Sequence, residues 1–214
     1  MDVEMKTKKG DFIEIDFSAY ANGALFDTTR EEDAKKIGID IEKRKMSPVV
    51  VCIGEGMLLK GLDKELENKE IGKDYNVVLK PEAAFGKRDA RLIKPVPLSA
   101  FKEKPYIGML VNVEGIVAKV VSIAGGRALI DLNNPLAGKE IIYKFRINSI
   151  VNEDDKKIKA IARMFDIKIR KIDGNKVYIY DLKKIKKETL DFFIKKIKNL
   201  VGLEIEPISA ERNE

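Results

Sequence analysis

The chain is 214 residues long, 44% hydrophobic and 36% charged, with a net charge of +6 spread over interspersed acids and bases. This composition fits a globular protein of two to three small domains and excludes a disordered one; no apolar run nears the ~20 residues of a membrane span. Histidine is absent, which removes the usual general base and the commonest metal ligand, and Cys52 stands alone, so no internal disulfide can form. The first nine residues lack the apolar stretch of a secretory signal, and a cytoplasmic location is expected.

In chain order, Asp11 to Tyr20 alternates. Ile13, Ile15, Phe17 and Ala19 fall on one face and Glu14, Asp16 and Ser18 on the other, the pattern of a half-buried strand. Asn22-Gly23 marks a tight hairpin turn, since both residues accept positive φ, and Leu25-Phe26-Asp27 lies on the return strand. Residues 29–47 form a charged insertion, Arg30 to Lys45, with little to bury, expected as a surface flap. Pro48 to Ile53 is an apolar, β-branched run that predicts a central strand. Gly54 to Asn68 holds a short helix with Leu59, Leu62 and Leu66 at helical spacing. Gly72 then turns the chain into a strand over 74–79, and regularity stops at Pro81-Glu-Ala-Ala-Phe-Gly86.

Lys87 to Asn134 carries its own turn chemistry at Pro95, Pro97, Pro105 and Gly108. Met109 to Ile123 reads as two strands, and Gly125-Gly126 turns into a third over Ala128 to Leu132. The pattern is that of a small β-rich unit inserted in the first domain. Asn134-Pro-Leu-Ala-Gly-Lys139 closes it, and Glu140 to Val151 predicts a long strand returning to the first sheet. Beyond it, Asn152-Glu-Asp-Asp supplies N-cap candidates for a helix bearing Ile158, Ile161, Ala162 and Phe165. A hairpin turns at Asp173-Gly174-Asn175, and Leu190, Phe193, Ile194, Ile197, Leu200 and Val201 define a second helix ending at Gly202. Leu203-Glu-Ile-Glu offers a last strand. Such an α-β-β-α-β unit of about sixty residues has a marginal core by itself, so a homodimer through 152–214 is expected.

There is no Gly-rich phosphate loop, no nucleophile beside a base and no Cys/His metal spacing, so neither metal nor cofactor is expected. An enzyme built from this chain must work without proton transfer. The succession Gly54-Glu-Gly-Met-Leu-Leu-Lys-Gly-Leu-Asp, Ile71-Gly-Lys-Asp, Tyr75-Asn-Val-Val-Leu and Ala84-Phe-Gly86 resembles the FKBP-type peptidyl-prolyl isomerases, in their SlyD-like branch. The resemblance implies an α+β fold, an antiparallel sheet wrapped on a short helix. It also implies an inserted β-rich insert-in-flap domain and a C-terminal α-β-β-α-β domain like that of the long archaeal members. The expected bounds are 1–86 with 135–151, 87–134, and 152–214.

Prolyl isomerisation suits a chain without a base. Rotation about X–Pro faces ~18–20 kcal/mol because the planar amide is resonance-stabilised and dipolar. An apolar pocket that strips water from the amide penalises this ground state more than the twisted transition state. The resemblance places that pocket residue by residue. The strand-one aromatic is Phe17, and the hairpin pair is Phe26 and Asp27. The apolar pair before the helix, whose backbone N–H meets the ligand, is Leu58 and Leu59; the floor is Leu62. Phe85 is the aromatic between Ala and Gly, Tyr143 the aromatic of the last strand, and Val49 a looser match. Singly, each of these also fits core packing.

Val96-Pro97-Leu-Ser-Ala-Phe101, Gly108-Met109 and Asn134-Pro135-Leu136-Ala137-Gly138 resemble the insert-in-flap chaperone module of SlyD-like proteins. The implied partner is an unfolded or nascent, proline-containing polypeptide, held on Phe101, Tyr106, Ile107, Met109 and Leu110; the same residues could instead be the insert's own core. Many relatives carry Tyr where this chain has Phe17 and Phe85, which implies lower isomerase activity. Asn134 stands where many carry His, and the metal-binding tail is absent, so no nickel or zinc role is expected. Two other readings remain open: a holdase that binds without isomerising, and RNA or ribosome association through Lys183, Lys184, Lys186, Lys187, Lys195, Lys196 and Lys198.

Overall fold

The alternation read from Asp11 to Tyr20 becomes a ten-residue strand, because the pleat sends Ile13, Ile15, Phe17 and Ala19 to one buried side. It opens an α+β fold in the computed structural model, which describes residues 6–39 and 46–210. The elements are β1 (Phe12–Ala21), β2 (Ala24–Thr28), α1 (Glu31–Lys36), β3 (Val49–Cys52), α2 (Lys60–Glu65) and β4 (Asp74–Leu79). Then follow β5 (Ile93–Pro97), β6 (Leu110–Val113), β7 (Ile116–Ala124) and β8 (Arg127–Asp131). The chain finishes with β9 (Ile141–Ile150), α3 (Asp154–Met164), β10 (Ile169–Asp173), β11 (Lys176–Tyr180), α4 (Lys187–Val201) and β12 (Glu206–Ala210). Two compact units result: Met1–Leu79 with Ile141–Glu214, and Lys80–Glu140.

In the first unit the antiparallel order is β2-β1-β9-β4, with β3 also on β1. One edge of β1 is divided, Phe12–Ile15 pairing with β3 and Ser18–Ala21 with β2, while β9 runs along the other edge. Asn22 (φ 50°) and Gly23 (φ 78°) form the two-residue turn whose twist suits the flanking strands. β3 is not central as predicted; β1 is its strand partner. Its apolar run is explained by a cover from outside the sheet, since Val50 and Cys52 share one buried cluster with Ile158 and Ile161 of α3.

The charged insertion buries more than its composition predicts. Asp33 and Ala34 of α1 are buried, and Ser18 Oγ donates to Asp33 Oδ2 at 2.6 Å. Bonds from Lys36 and Ser18 hold the Asp33 carboxyl below its ordinary range. Residues 40–45 of the expected flap lie outside the described residues.

The segment after Val151 shares its core with the sheet. Phe12, Val50 and Cys52 join Ile158, Ile161, Val177, Ile179, Phe193 and Ile197 in one cluster, each fully buried aliphatic contributing about 1.5–3 kcal/mol. The premise that 152–214 must find its core by pairing with a second copy therefore does not hold in this fold. The N-cap of α3 is Glu153, which makes no capping bond with its side chain; Glu153 and Asp154 pair with Lys156 and Lys157. The last strand lies at Glu206–Ala210, beyond the predicted Leu203-Glu-Ile-Glu, and runs parallel to β11 because α4 carries the chain back across the sheet.

The second unit is an antiparallel sheet in the order β5-β8-β7-β6 around Ala118, Val120, Ala128 and Ile130. β5 escapes sequence reading because Pro95 and Pro97 look like turn punctuation. Both sit in a strand at the sheet edge, paired with β8, where the missing N–H groups are tolerated.

Candidate functional site

Cross-strand register in the first unit aligns Asp27 of β2, Ala19 of β1, Tyr143 of β9 and Val77 of β4 in one row. Directly opposite residues point to the same side of a sheet, and Ala19, fully buried, is the small residue of the row. Phe17, two residues earlier on β1, meets Tyr143 edge to face, with ring centroids 5.6 Å apart and planes at 60°. Burial, reinforced by the charge of Asp27, pushes the Tyr143 phenol up to about 12, so it stays neutral. Phe26 falls at a bulge between the pairs Asp27–Ala19 and Leu25–Tyr20, a distortion that re-aims a side chain.

The loop before α2 is held from within. Gly54 and Gly56 adopt positive φ (86° and 67°), and their N–H groups donate to Asp63 Oδ1 at 2.9 Å and Oδ2 at 3.1 Å. Asp63 is itself buried, so this carboxylate fixes the approach of Leu58 and Leu59 to the helix. Both leucines are half-buried. Among the described residues, no hydrogen bond engages the N–H of Leu58 or Leu59. Leu62 is fully buried on α2. Sequence reading missed Asp63; two glycines followed at helical distance by an acid was the available signal.

A cleft of ≈ 220 Å³ brings Phe17, Val49 and Leu58 together with Val50, Val51 and Met57 on one side and Ala160, Arg163 and Met164 of α3 on the other. Phe17, whose ring packs on Tyr143 of the row, also lines this cleft. Of the eight pocket residues expected, Asp27 and Tyr143 stand in the row with Phe26 beside it, Phe17 packs on Tyr143, and Leu58 joins through the cleft. Leu59 and Leu62 follow on the adjoining loop and helix. Phe85 belongs to the second unit, half-buried at the end of the turn Pro81–Ala83. The α3 wall could not be read from sequence, because nothing local says which strand a downstream helix will cover.

In the second unit, Phe101 and Met109 pack on the unit's own core and also line a groove of ≈ 510 Å³ with Val96, Leu110, Val111 and Val113. Tyr106, Ile107 and Leu110 are 65%, 67% and 67% exposed, and Ile116 and Val117, which the sequence did not single out, are also exposed. The Asn-Pro-Leu-Ala-Gly stretch clamps the ends of the unit. Asn134 Oδ1 accepts from the Leu136 N–H at 2.8 Å, and the Gly138 N–H donates to the Gly86 carbonyl at 2.8 Å. Buried Asn133 accepts from the Asp89 N–H at 2.8 Å, and its amide donates to the Asp89 carbonyl (3.0 Å) and to Asp131 (2.7 Å). Among the described residues, no group of three or more acids or cysteines is placed to hold a metal ion, and no helix is long and apolar enough to cross a membrane.

Known proteins give this arrangement a class. Residues 3–101 match the model of the FKBP-type peptidyl-prolyl cis-trans isomerases, and residues 94–136 match that of the FKBP26 IF domain. The chain is 32% identical over 146 residues to the short-type peptidyl-prolyl cis-trans isomerase of Methanocaldococcus jannaschii, covering 67% of this chain and 93% of that protein. It is 25% identical over 138 residues to the FKBP-type peptidyl-prolyl cis-trans isomerase SlyD of Helicobacter pylori, covering 62% of this chain and 74% of that one. With SlyD of Aeromonas hydrophila the identity is 31% over 134 residues, or 58% and 59% of the two chains. The chain belongs to the FKBP-type peptidyl-prolyl cis-trans isomerase family. It is an enzyme of that class.

Proposed function

We propose that the enzyme turns X–Pro bonds in unfolded or nascent polypeptides while its second unit holds the chain. The observation that carries the isomerase mechanism is the Tyr143–Asp27 row with the Phe17 ring packed on Tyr143, aromatic surroundings with one carboxylate and no histidine. A proline ring seated there brings its amide into a dry environment that disfavours the dipolar planar form. The N–H groups of Leu58 and Leu59 are available to a substrate carbonyl, which fixes the peptide while the bond twists. The neutral Tyr143 phenol offers a donor without exchanging its proton.

Chaperone action is supported by Tyr106, Ile107, Leu110, Ile116 and Val117, large apolar side chains left in solvent on one small unit. Holding the chain there raises the concentration of its prolines at the pocket. A buried, unpaired Cys52 whose thiol is pushed up to about 12 by burial fits a reducing cytoplasm. The test is refolding of a proline-limited protein beside turnover of a short proline peptide. Changing Tyr106, Ile107 and Leu110 together to Ser is expected to slow the first by about tenfold and the second by less than about twofold. Equal loss in both contradicts the division of labour.

A further inference from the structure

Arg163 and Met164 end α3 at the ≈ 220 Å³ cleft that Phe17, Val49 and Leu58 line. The helix is held there by Ile158 and Ile161, buried in one cluster with Val50 and Cys52 of β3. Ala160 is buried in the cleft wall, while Met164 is partly exposed and unbranched, a side chain that adapts to varied apolar neighbours. Among the described residues no carboxylate pairs with the Arg163 guanidinium. Partial burial pushes its pKa down, and no acid offsets that effect. Lys159, one turn earlier on the same face, is exposed and likewise without an ion pair among the described residues. Like charges four apart on a helix repel; Glu153 and Asp154 are already engaged by Lys156 and Lys157, and Asp155, one turn before Lys159, forms no ion pair with it among the described residues. A cation near a helix C-terminus complements the dipole, which accounts for its charge but not for its place in the cleft wall.

We propose that α3 is one wall of the isomerase's peptide-binding cleft. Met57, Leu58, Ala160 and Met164 seat an apolar side chain of the substrate, and Arg163, aided by Lys159, binds a carboxylate beside it. The preferred substrate is then an X–Pro segment with an acidic residue within about three positions of the proline, because Phe17 borders both the row and the cleft and an extended residue spans about 3.3 Å. The proposal rests on reading the Tyr143–Asp27 row, with the Phe17 ring beside it, as the proline site.

The test uses the full chain and short proline peptides bearing Glu or Gln at each of the three positions on either side of the proline, with exchange followed by NMR. The expected result is a kcat/KM ratio of Glu to Gln of about three- to fivefold at one position at low salt, falling toward one as salt rises. R163Q brings the ratio near one, R163K keeps most of it, K159Q reduces it by about half, and R163E inverts it. If R163Q fails to fold, R163K and K159Q carry the comparison. A ratio near one at every position, or one that R163Q leaves unchanged, overturns the proposal. Absence of turnover on every peptide would instead overturn the isomerase reading beneath it.

Discussion

Phe17 of β1 and Tyr143 of β9 meet edge to face at 5.6 Å, and Tyr143 shares its cross-strand row with Asp27. An aromatic pair of this geometry is worth about 0.5–1.5 kcal/mol beyond the area it buries. Phe17→Leu keeps the site apolar but removes the ring edge. It is expected to cost about 1–2 kcal/mol in urea unfolding and about tenfold in kcat/KM on a proline peptide. Phe17→Tyr, which supplies the hydroxyl that the resemblance implies at this position, is expected to raise kcat/KM a few-fold. A Leu variant with unaltered turnover would remove Phe17 from the site.

Asp63 acts on the site through the loop it holds. Its two oxygens take the N–H groups of Gly54 and Gly56, so Asp63→Ala leaves two donors without their acceptors. The expected stability loss is about 1–3 kcal/mol. Because the loop carries Leu58 and Leu59, KM for a proline peptide is expected to rise more than kcat falls. Steady-state kinetics separates the two, and a pure loss of stability with unaltered KM would confine Asp63 to a structural role.

Alkaline stability follows from two buried groups. The Cys52 thiol, ordinarily near 9.0, and the Tyr143 phenol, ordinarily near 10.0, are both pushed up to about 12, chiefly by burial. The unfolded chain releases these protons first, so stability is whole below pH 9 and declines as pH rises toward 12. Each group accounts for a loss on the order of 3 kcal/mol at the top of that range. Thermal unfolding in this window is expected to show a shallower decline for Cys52→Ala and for Tyr143→Phe than for the wild type. Parallel curves would contradict the assignment.

Asn133 ties the two ends of the second unit through Asp89 and Asp131. Asn133→Ala leaves the half-buried Asp89 N–H without its acceptor and is expected to cost that unit about 1–3 kcal/mol. Hydrogen exchange should quicken across 86–139, and help to a refolding protein should fall while peptide turnover persists. Unaltered exchange would show that the clamp is held elsewhere.

Much of the first sheet was legible because each of its signals is local. The alternation around Ile13, Ile15, Phe17 and Ala19, the Asn22-Gly23 turn and the spacing of Leu62 and Leu66 all become elements at the same places. What was not legible depends on partners distant in sequence. The edge position of β3 follows from what covers Val50 and Cys52, and β5 survives its prolines only because it lies on an edge. The displaced, parallel β12 follows from where α4 delivers the chain. Within the site, the row joining Asp27, Ala19 and Tyr143 depends on strand register, which a resemblance can suggest but residue spacing cannot supply. The α3 wall and the Asp63 clamp belong to the same kind.

The pH dependence of kcat/KM on one short proline peptide tests the desolvation mechanism most directly. With no histidine in the chain and Tyr143 neutral to about 12, the rate is expected to stay level from about pH 6 to about pH 9. A bell-shaped profile with a limb inside that range would mean that an ionising group takes part in turnover, and the dry-pocket account would be wrong.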